Sequence, residues 1–251
     1  MIPRVMGSGT QTDAERLKNW RKAERERLVA KRLALDTDTL SDFRKAIDTH
    51  LARAFPGLGK GILGFCWPFK NEYDPRFLGH ELRHRGARTA LPVVVAPRQP
   101  LIFRLWKPGD VLAKGVYDIP YPAEGDAVVP DVALVPMNGF DEAGYRLGYG
   151  GGFFDRTLAS VRAANPKAMV AIGVTYELAR MPTIDPQSYD IPMDYVATER
   201  GVYQRIDGRL ELLEAPAGGG AGPAGGYSSP ACLAHEIAPG YFGETPEKPG
   251  S

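Results

Sequence analysis

The segment from Val132 to Arg156 constrains the fold and the chemistry of this chain more than any other stretch. It opens with the apolar run Val132-Ala-Leu-Val135, which is typical of a buried strand. A helical pattern begins at Phe153, and four glycines precede it at positions 148, 150, 151 and 152. A strand, a glycine-rich turn and a helix start form an anion site, because glycine admits a phosphate close to the backbone and the helix N-terminus directs N–H groups at it. The glycines alone would equally fit a tight turn with a purely structural role.

These glycines match neither of two common nucleotide-binding patterns. The G-x-G-x-x-G pattern would need its third glycine at position 153, where the chain has Phe153, and no Gly-Lys-Ser/Thr follows. The flanking residues nevertheless favour phosphate binding. Arg146 can pair with phosphate oxygens through its guanidinium, and the Asp155 carboxylate suits Mg²⁺ held beside phosphates. This combination supplies charge neutralisation and positioning, which are the requirements of phosphoryl transfer.

Composition and charge exclude several classes of protein. The 251 residues are 43% hydrophobic, which is enough for the core of one large domain or two small ones. A net charge of +1 argues against a nucleic-acid partner, and the absence of any run of about 18 apolar residues argues against a membrane span. The start of the chain lacks the apolar core of a signal peptide, and Cys66 lies far from Cys232, so we expect a cytoplasmic protein with free thiols. The pattern leaves open whether the protein is a monomer or a dimer.

Local patterns predict a series of helices and strands. Thr12-Asp-Ala-Glu15 is a capping box that opens a long basic helix to about Leu35. Pro92 should place its strand at a sheet edge or a bulge, and the turn-rich segment 107–130 is interpreted as a long loop. Further helices are expected over 38–54, 75–85, 153–164 and 176–180, and strands over 61–67, 89–95, 101–106, 132–135, 168–174, 195–197, 201–205 and 209–213.

The first helix carries a face of positive charge. Arg21 and Arg25 are four residues apart and Arg32 follows seven later, so all three share one side. A solvated, salt-bridged helix is one interpretation, because Glu24 interleaves with the basic residues. A cationic clamp on a phosphate ligand is the other. Glu72 lies just beyond the next predicted strand, which is where ligands bind in open α/β sheets.

The composition changes at Ala215. Residues 215–226 are a Gly/Ala/Pro linker that we expect to be flexible, and residues 227–251 are too few to fold alone. Cys232 and His235 have a metal-like spacing, but two ligands do not make a site. The expected organisation is therefore a flexible start over 1–12, one domain over 13–214, the linker over 215–226, and a short tail of unknown role over 227–251.

The segment from Val135 to Arg156 also resembles the signature of a known family. It meets every fixed position of V-P-x-x-x-F-D-x-x-G-x-R-L-G-x-G-x-G-[YF]-[YF]-D-R, which is similar to the pattern of the 5-formyltetrahydrofolate cyclo-ligases, also called methenyltetrahydrofolate synthetases. Phe153 and Phe154 stand where Tyr-Tyr is more usual. The resemblance extends over roughly residues 16–205. It implies a single α/β domain with a Rossmann-like mixed sheet flanked by helices.

The resemblance implies a ligase that acts on small molecules. ATP and 5-formyltetrahydrofolate would give 5,10-methenyltetrahydrofolate, ADP and phosphate, with Mg²⁺ as cofactor. The formyl oxygen would attack the γ-phosphate, and N10 would then close the ring. No covalent enzyme intermediate is needed, which suits a sequence without an apparent Ser/His/Asp or Cys/His constellation. Two alternatives remain open: a non-catalytic folate- or nucleotide-binding regulator, and a sugar-phosphate isomerase or CoA-transferase on a related fold.

The resemblance also implies roles for individual residues. Arg146 and Asp155 would be catalytic, with Asp155 and Asp190 as metal ligands, although Asp190 could equally cap a turn. Trp67, Glu72 and Tyr117 would hold the pterin, although Trp67 and Tyr117 could be ordinary core or pocket wall. The residues implied to contact ATP are Arg21 (or Lys22 with a one-residue offset), Arg25, Arg146, Leu147, Gly148, Tyr149, Gly150, Gly151, Gly152, Phe153 and Phe154.

Overall fold

The computed structural model describes residues 12–213, with the exception of the Tyr117 side chain. The predicted linker over 215–226 and tail over 227–251 lie outside this range. The helices in this range, none of which is long and apolar enough to span a bilayer, are α1 (Asp13–Leu33), α2 (Thr37–Ala54), α3 (Pro75–His84) and α4 (Phe153–Ala164). Its strands are β1 (Ile62–Phe65), β2 (Arg88–Val93), β3 (Ile102–Trp106), β4 (Leu112–Lys114), β5 (Pro120–Pro122), β6 (Ala127–Val128), β7 (Val132–Pro136), β8 (Gly139–Phe140), β9 (Arg146–Leu147), β10 (Val170–Val174), β11 (Tyr195–Thr198), β12 (Gly201–Ile206) and β13 (Arg209–Leu212).

The main sheet of the described range is mixed, with the strand order β13-β12-β11-β10-β7-β1-β2-β3-β6. Its central strands β11, β10, β7, β1 and β2 are parallel, and the strands on either flank are antiparallel. From β1 the chain continues to β2 on one side and returns through β7 on the other, so the strand order reverses between β1 and β7. Such a switch point opens a crevice at the carboxyl ends of the strands. The predicted Rossmann-like mixed sheet flanked by helices is confirmed.

Apolar side chains pack on both faces of this sheet. Ile47 of α2 and Phe65 of β1 belong to the core on one face. Leu158 of α4 and Val135 of β7 belong to the core on the other face. Leu134 joins the first core, because successive side chains of a strand point to opposite faces. Burial of both faces explains why these strands are continuous apolar runs in the sequence.

α1 packs beside the segment that carries the glycines. Its predicted capping box is present, since Glu15 N donates to Thr12 Oγ1 at 3.2 Å and Thr12 N donates to Glu15 Oε2 at 2.9 Å. Leu28 forms a small separate core with Leu147 of β9, together with Met181 and Ile184. This contact places the arginine face of α1 next to the glycine-rich turn.

The prediction that Pro92 lies at a sheet edge or a bulge was wrong. β2 is an interior strand that pairs with β1 on one side and with β3 on the other. The pairing with β1 covers Arg88–Ala90 and ends before Pro92, so the missing N–H of Pro92 interrupts no bond to β1.

The segment 107–130 is not the long loop that its turn residues predicted. β4 and β5 pair as an antiparallel hairpin around a short 3-10 helix at Val116–Asp118. β6 then extends the main sheet beside β3. Elements of two or three residues leave no detectable periodicity in a sequence.

Candidate active site

A cavity of about 1110 Å³ opens where β1 and β7 end, at the switch point of the sheet. Its volume slightly exceeds the range of about 300–1,000 Å³ that is usual for small-molecule sites. Its walls come from α1, the segment after β1, the 115–121 segment, the stretch from β9 into α4, and residues 187–191. The predicted site residues that line it are Arg21, Arg25, Trp67, Glu72, Arg146, Leu147, Gly148, Tyr149, Gly150, Gly151, Gly152, Phe153, Phe154, Asp155 and Asp190.

The glycine-rich turn forms one wall of the cavity and leads into α4. Gly150 and Gly152 have φ angles of 94° and 63°, in the left-handed region that favours glycine. Gly152 is the N-cap of α4 and has no side chain to accept from the N–H groups of the first helical turn. These groups and the positive end of the helix dipole suit an anion. The geometry is compatible with the predicted phosphate contact.

Arg146 and Asp155 form a buried ion pair on the same wall. Arg146 Nη2 lies 2.8 Å from Asp155 Oδ2, and the Arg146 side chain is 5% exposed. Burial lowers the pKa of Arg146, and the neighbouring Asp155 carboxylate opposes that effect. Both residues also hold the backbone of Ile191. Arg146 Nη1 donates to the Ile191 carbonyl at 3.1 Å, and the Ile191 N–H donates to Asp155 Oδ1 at 3.0 Å. The pair therefore joins the start of α4 to the 187–191 segment.

Arg21 and Asp190 form a second buried pair. Arg21 Nη2 donates to Asp190 Oδ2 at 2.6 Å. The same guanidinium also donates to the carbonyls of Ile184 and Asp185, at 3.1 and 2.8 Å. Asp190 Oδ2 accepts from Gln187 N at 2.7 Å, so the predicted role of Asp190 in a turn is observed. Its predicted role at a metal stays a prediction.

The remaining cations of α1 divide between the cavity and the solvent. Arg25 lines the cavity, and its Nε donates to the carbonyl of Gly148 at 2.7 Å. Burial, followed by the charge of Arg21, lowers the pKa of Arg25. Lys22 is 72% exposed and faces Glu26 outside the cavity. This placement favours Arg21 over Lys22 for contact with a ligand. The interpretation of α1 as a solvated, salt-bridged helix holds only for its outer face.

Glu72 lies on the opposite wall, in the turn that follows β1. Its Oε1 accepts from the Tyr149 hydroxyl at 2.9 Å and its Oε2 accepts from Phe69 N at 3.0 Å. Burial raises the pKa of Glu72, and the charge of Arg32 opposes the effect. A buried carboxylate beside an open cavity is suited to accept hydrogen bonds from ligand N–H groups.

The aromatic residues proposed for the pterin have different environments. Trp67 lines the cavity and meets Trp106 edge to face, with 5.7 Å between ring centroids. Trp106 is buried in the core. The Tyr117 side chain lies outside the part of the chain that the structure describes, so its predicted stacking stays a prediction. Gly115 and Val116, which precede it, line the cavity.

Sequence reasoning missed several residues of the site. Arg32 was grouped with Arg21 and Arg25, but its contact with Tyr149 carried no sequence signal. Arg156 was noted only as the end of the signature; it lines the cavity and stacks over the Phe153 ring at 5.4 Å. In the 187–191 segment, a turn was expected from Asp190 onwards, but residues 187–189, which also line the cavity, carried no sequence signal.

Asp155 and Asp190 are the candidate ligands for a magnesium ion shared with phosphates, and each of them also pairs with an arginine. Asp155 and Asp190 both line the cavity, and both act electrostatically on Arg146. No group of three or more His, Cys, Asp or Glu side chains in residues 12–213 could hold a metal alone. Mg²⁺ commonly takes one or two carboxylates and fills its remaining positions with water and substrate phosphates. The donor set is therefore suitable for a metal that arrives with a nucleotide.

Fold and cavity together define an α/β protein with a small-molecule site at a sheet switch point. Residues 17–199 match the sequence model of the 5-formyltetrahydrofolate cyclo-ligase family. The chain therefore belongs to this family of ligases, and the assignment made from the Val135–Arg156 signature is confirmed.

Individual relatives and solved structures agree with the family assignment. The 5-formyltetrahydrofolate cyclo-ligase of Escherichia coli (strain K12) is 30% identical over 142 residues, which cover 54% of this chain and 76% of that protein. The cyclo-ligase of Mycolicibacterium smegmatis is 36% identical over 129 residues, which cover 47% of this chain and 63% of the relative.

Among solved structures, the 5,10-methenyltetrahydrofolate synthetase of Aquifex aeolicus superposes with a TM-score of 0.63 at 28% identity, and the match covers 77% of this chain and 96% of that chain. The synthetase of Mycoplasma pneumoniae gives a TM-score of 0.58 at 22% identity over 71% of this chain and 98% of that chain, which shows the shared fold.

Proposed function

We propose that this protein converts 5-formyltetrahydrofolate and ATP into 5,10-methenyltetrahydrofolate, ADP and phosphate. The observation that carries the proposal is a single cavity with two chemically different walls. One wall combines the glycine-rich start of α4 with buried arginines, and the other presents the buried carboxylate of Glu72 beside Trp67. The first is suited to phosphates and the second to an aromatic ring that bears N–H donors.

The nucleotide would lie against the glycine-rich turn. N–H groups from Gly150 to Phe154 would donate to phosphate oxygens, as they do at other helix N-termini. Arg25 and Arg146 would neutralise the phosphate charge, and Arg21 would support them from its contact with Asp190. Asp155 and Asp190 would hold Mg²⁺, which when bound supplies further charge neutralisation at the phosphates.

The folate would lie between the two walls. Glu72 would accept hydrogen bonds from the N–H groups of the pterin, and Trp67 and Tyr117 would contact the flat ring. In this arrangement the formyl group on N5 would face the phosphate wall.

The proposed reaction needs positioning and charge stabilisation, and no nucleophile from the protein. The formyl oxygen attacks the γ-phosphorus, the bond from that phosphorus to the β–γ bridging oxygen breaks, and ADP leaves. N10 then attacks the formyl carbon and closes the ring. The former formyl oxygen leaves with the phosphate, and N10 loses its proton. Arg146, held by Asp155, would stabilise the charge that moves between the phosphates.

The test is an assay of the purified protein with 5-formyltetrahydrofolate, ATP and Mg²⁺. We expect the near-UV absorbance of the methenyl product to rise, with one ADP formed per product and no reaction when ATP or Mg²⁺ is omitted. Binding of both substrates without turnover would instead indicate a regulator. Turnover of a sugar phosphate or a CoA ester without ATP would indicate an isomerase or a transferase, and either result would overturn the proposal.

A further inference from the structure

Three side chains join the two walls of the cavity. The Tyr149 hydroxyl donates to Glu72 Oε1 at 2.9 Å, and Arg32 Nη2 donates to the Tyr149 oxygen at 3.1 Å. The same Arg32 nitrogen lies 3.8 Å from Glu72 Oε1. The residues come from α1, from the turn after β1 and from the glycine-rich turn. We call this group the Arg32–Tyr149–Glu72 bridge.

Arg32 also fixes the turn on which Glu72 lies. Its Nε donates to the carbonyl of Lys70 at 2.8 Å. Lys70 and Asn71 have φ angles of 51° and 58°, a left-handed conformation that is unfavourable for lysine and that asparagine adopts more readily. The bond from Arg32 therefore stabilises a backbone that local preferences oppose.

The bridge is buried at one end and half-open at the other. The Arg32 and Glu72 side chains are 4% and 6% exposed, so water cannot readily replace their mutual contacts. Tyr149 is 39% exposed, so this end of the bridge is in contact with the open cavity. Burial raises the pKa of Tyr149, so the phenol keeps the proton that it donates to Glu72.

Side chains carry the connection between these two walls. In the described part of the chain, no backbone hydrogen bond joins residues 66–74 to residues 148–152. The rings of Phe69 and Tyr149 lie 5.9 Å apart between centroids and add an apolar contact at the same place. A displacement of the glycine-rich turn would therefore reach Glu72 through Tyr149.

We propose that Arg32 is a positioning residue and that the Arg32–Tyr149–Glu72 bridge couples the nucleotide and folate subsites, so that each ligand tightens the binding of the other. This inference rests on the proposed function. A nucleotide on the glycine-rich turn orders Tyr149, and Tyr149 holds Glu72 in the orientation that the pterin requires. The second ligand then meets a bridge that is already ordered, which gives positive cooperativity. By thermodynamic linkage the effect has the same size in both directions.

The test measures coupling rather than turnover. Calorimetric titration of the full chain gives the Kd of a non-hydrolysable ATP analogue, with Mg²⁺, in the absence and presence of saturating 5-formyltetrahydrofolate. We expect folate to lower this Kd at least about fivefold in the wild-type protein. In Tyr149→Phe, which loses the hydroxyl, the two Kd values should agree within about twofold. Arg32→Lys should also reduce the coupling, because Lys lacks the forked guanidinium.

Controls separate coupling from general damage. Tyr203→Phe removes a hydroxyl on β12, and Arg27→Met removes an exposed cation of α1; both should keep the wild-type coupling. If Arg32→Lys does not fold, Tyr149→Phe alone decides the matter. Wild-type coupling in Tyr149→Phe, or no coupling in the wild-type protein when both ligands bind, would overturn the inference and leave the proposed function standing. Failure of either ligand to bind the wild-type protein would instead overturn the proposed function.

Discussion

At the residue scale, the charged groups of the site occur as matched pairs. Arg21 pairs with Asp190 and Arg146 pairs with Asp155, and all four side chains are largely buried. Removal of one partner leaves the other as an unpaired buried charge, which is costly. A substitution here therefore changes stability as well as chemistry, so each kinetic measurement needs a parallel unfolding measurement.

Asp155→Asn should lower kcat by about 100-fold or more, equivalent to about 2.7 kcal/mol in the activation barrier. The amide keeps the size of the side chain but lacks the charge that orients Arg146 and would bind Mg²⁺. The Kd of 5-formyltetrahydrofolate should change little. Turnover by product absorbance and folate titration check both expectations. Asp42→Asn, on the surface beside Lys45, is the matched control. Wild-type turnover in Asp155→Asn would exclude Asp155 from the proposed catalytic and metal-binding roles.

Glu72→Gln should weaken 5-formyltetrahydrofolate binding by about 10- to 100-fold, since a hydrogen bond to a charged group contributes about 1.5–3 kcal/mol. Burial raises the pKa of Glu72, so its carboxylate loses its charge, and folate binding falls, as the pH drops through that raised value. The variant should lack this pH dependence because Gln does not titrate. Folate Kd values over a pH series measure both effects. Glu26→Gln on the exposed face of α1 should behave as wild type, and an identical pH profile for Glu72→Gln would contradict the assignment.

At the element scale, the start of α4 and the packing of α2 against α3 depend on special local chemistry. α4 begins at a left-handed glycine in place of a capping side chain. α2 contributes Asp48, a buried carboxylate that accepts from the Tyr73 hydroxyl at 2.6 Å just before α3 and pairs with Arg44. Each feature yields a prediction that belongs to the element rather than to the reaction.

Gly152→Ala should raise the KM for ATP by about tenfold or more, because misplacement of a positioning group commonly has an effect of this size or larger. A Cβ at this position would lie 2.9 Å from Arg156 Nη1, and the left-handed backbone adds about 1–2 kcal/mol of strain. Steady-state kinetics and denaturant unfolding measure the two consequences. Gly57→Ala is the control, since a Cβ at Gly57 meets no atom within 4 Å. Equal KM values for the two variants would contradict the role of the α4 start.

Asp48→Asn should remove one step from the pH dependence of stability. Burial raises the pKa of Asp48 from 3.8 to about 6, so the folded protein retains a proton that the unfolded chain releases. The stability that this proton contributes is complete below about pH 4 and is lost as the pH rises through about 6. Between about pH 4 and pH 6, the free energy of unfolding of the wild-type protein should fall by on the order of 2–3 kcal/mol more than that of the variant. Urea unfolding at several pH values checks this, and parallel curves for the two proteins would disprove it.

At the scale of the whole molecule, the sheet brings together segments that are distant in the chain. The described residues that line the cavity all lie between Ala14 and Ile191. We propose that residues 13–214 form the catalytic unit. A chain that ends after residue 214 should therefore keep kcat and KM within about twofold of the full-length values. A larger loss in the shortened chain would assign the C-terminal residues a part in the site.

The accuracy of the sequence-based predictions followed the range of the interactions. The bounds of α4 and the capping box of α1 were predicted correctly, because both depend on residues within one helical turn. The strand of Pro92 was misplaced because β1, which precedes α3 in the chain, pairs with its first residues and makes it an interior strand. The hairpin of β4 and β5 was missed because two short strands are stabilised by pairing and packing rather than by their own pattern.

The linear sequence by itself determined the family and the glycine-rich start of α4, because both are written in the contiguous residues from Val135 to Arg156. Only the tertiary structure decided that Arg21 and not Lys22 faces the cavity, because a shift of one residue turns a helical side chain to another side. It also decided that Tyr149 meets Glu72 and Arg32, which are 77 and 117 residues away in the chain. No local pattern encodes such contacts, because they exist only once β1, β7 and α1 have been packed into one fold.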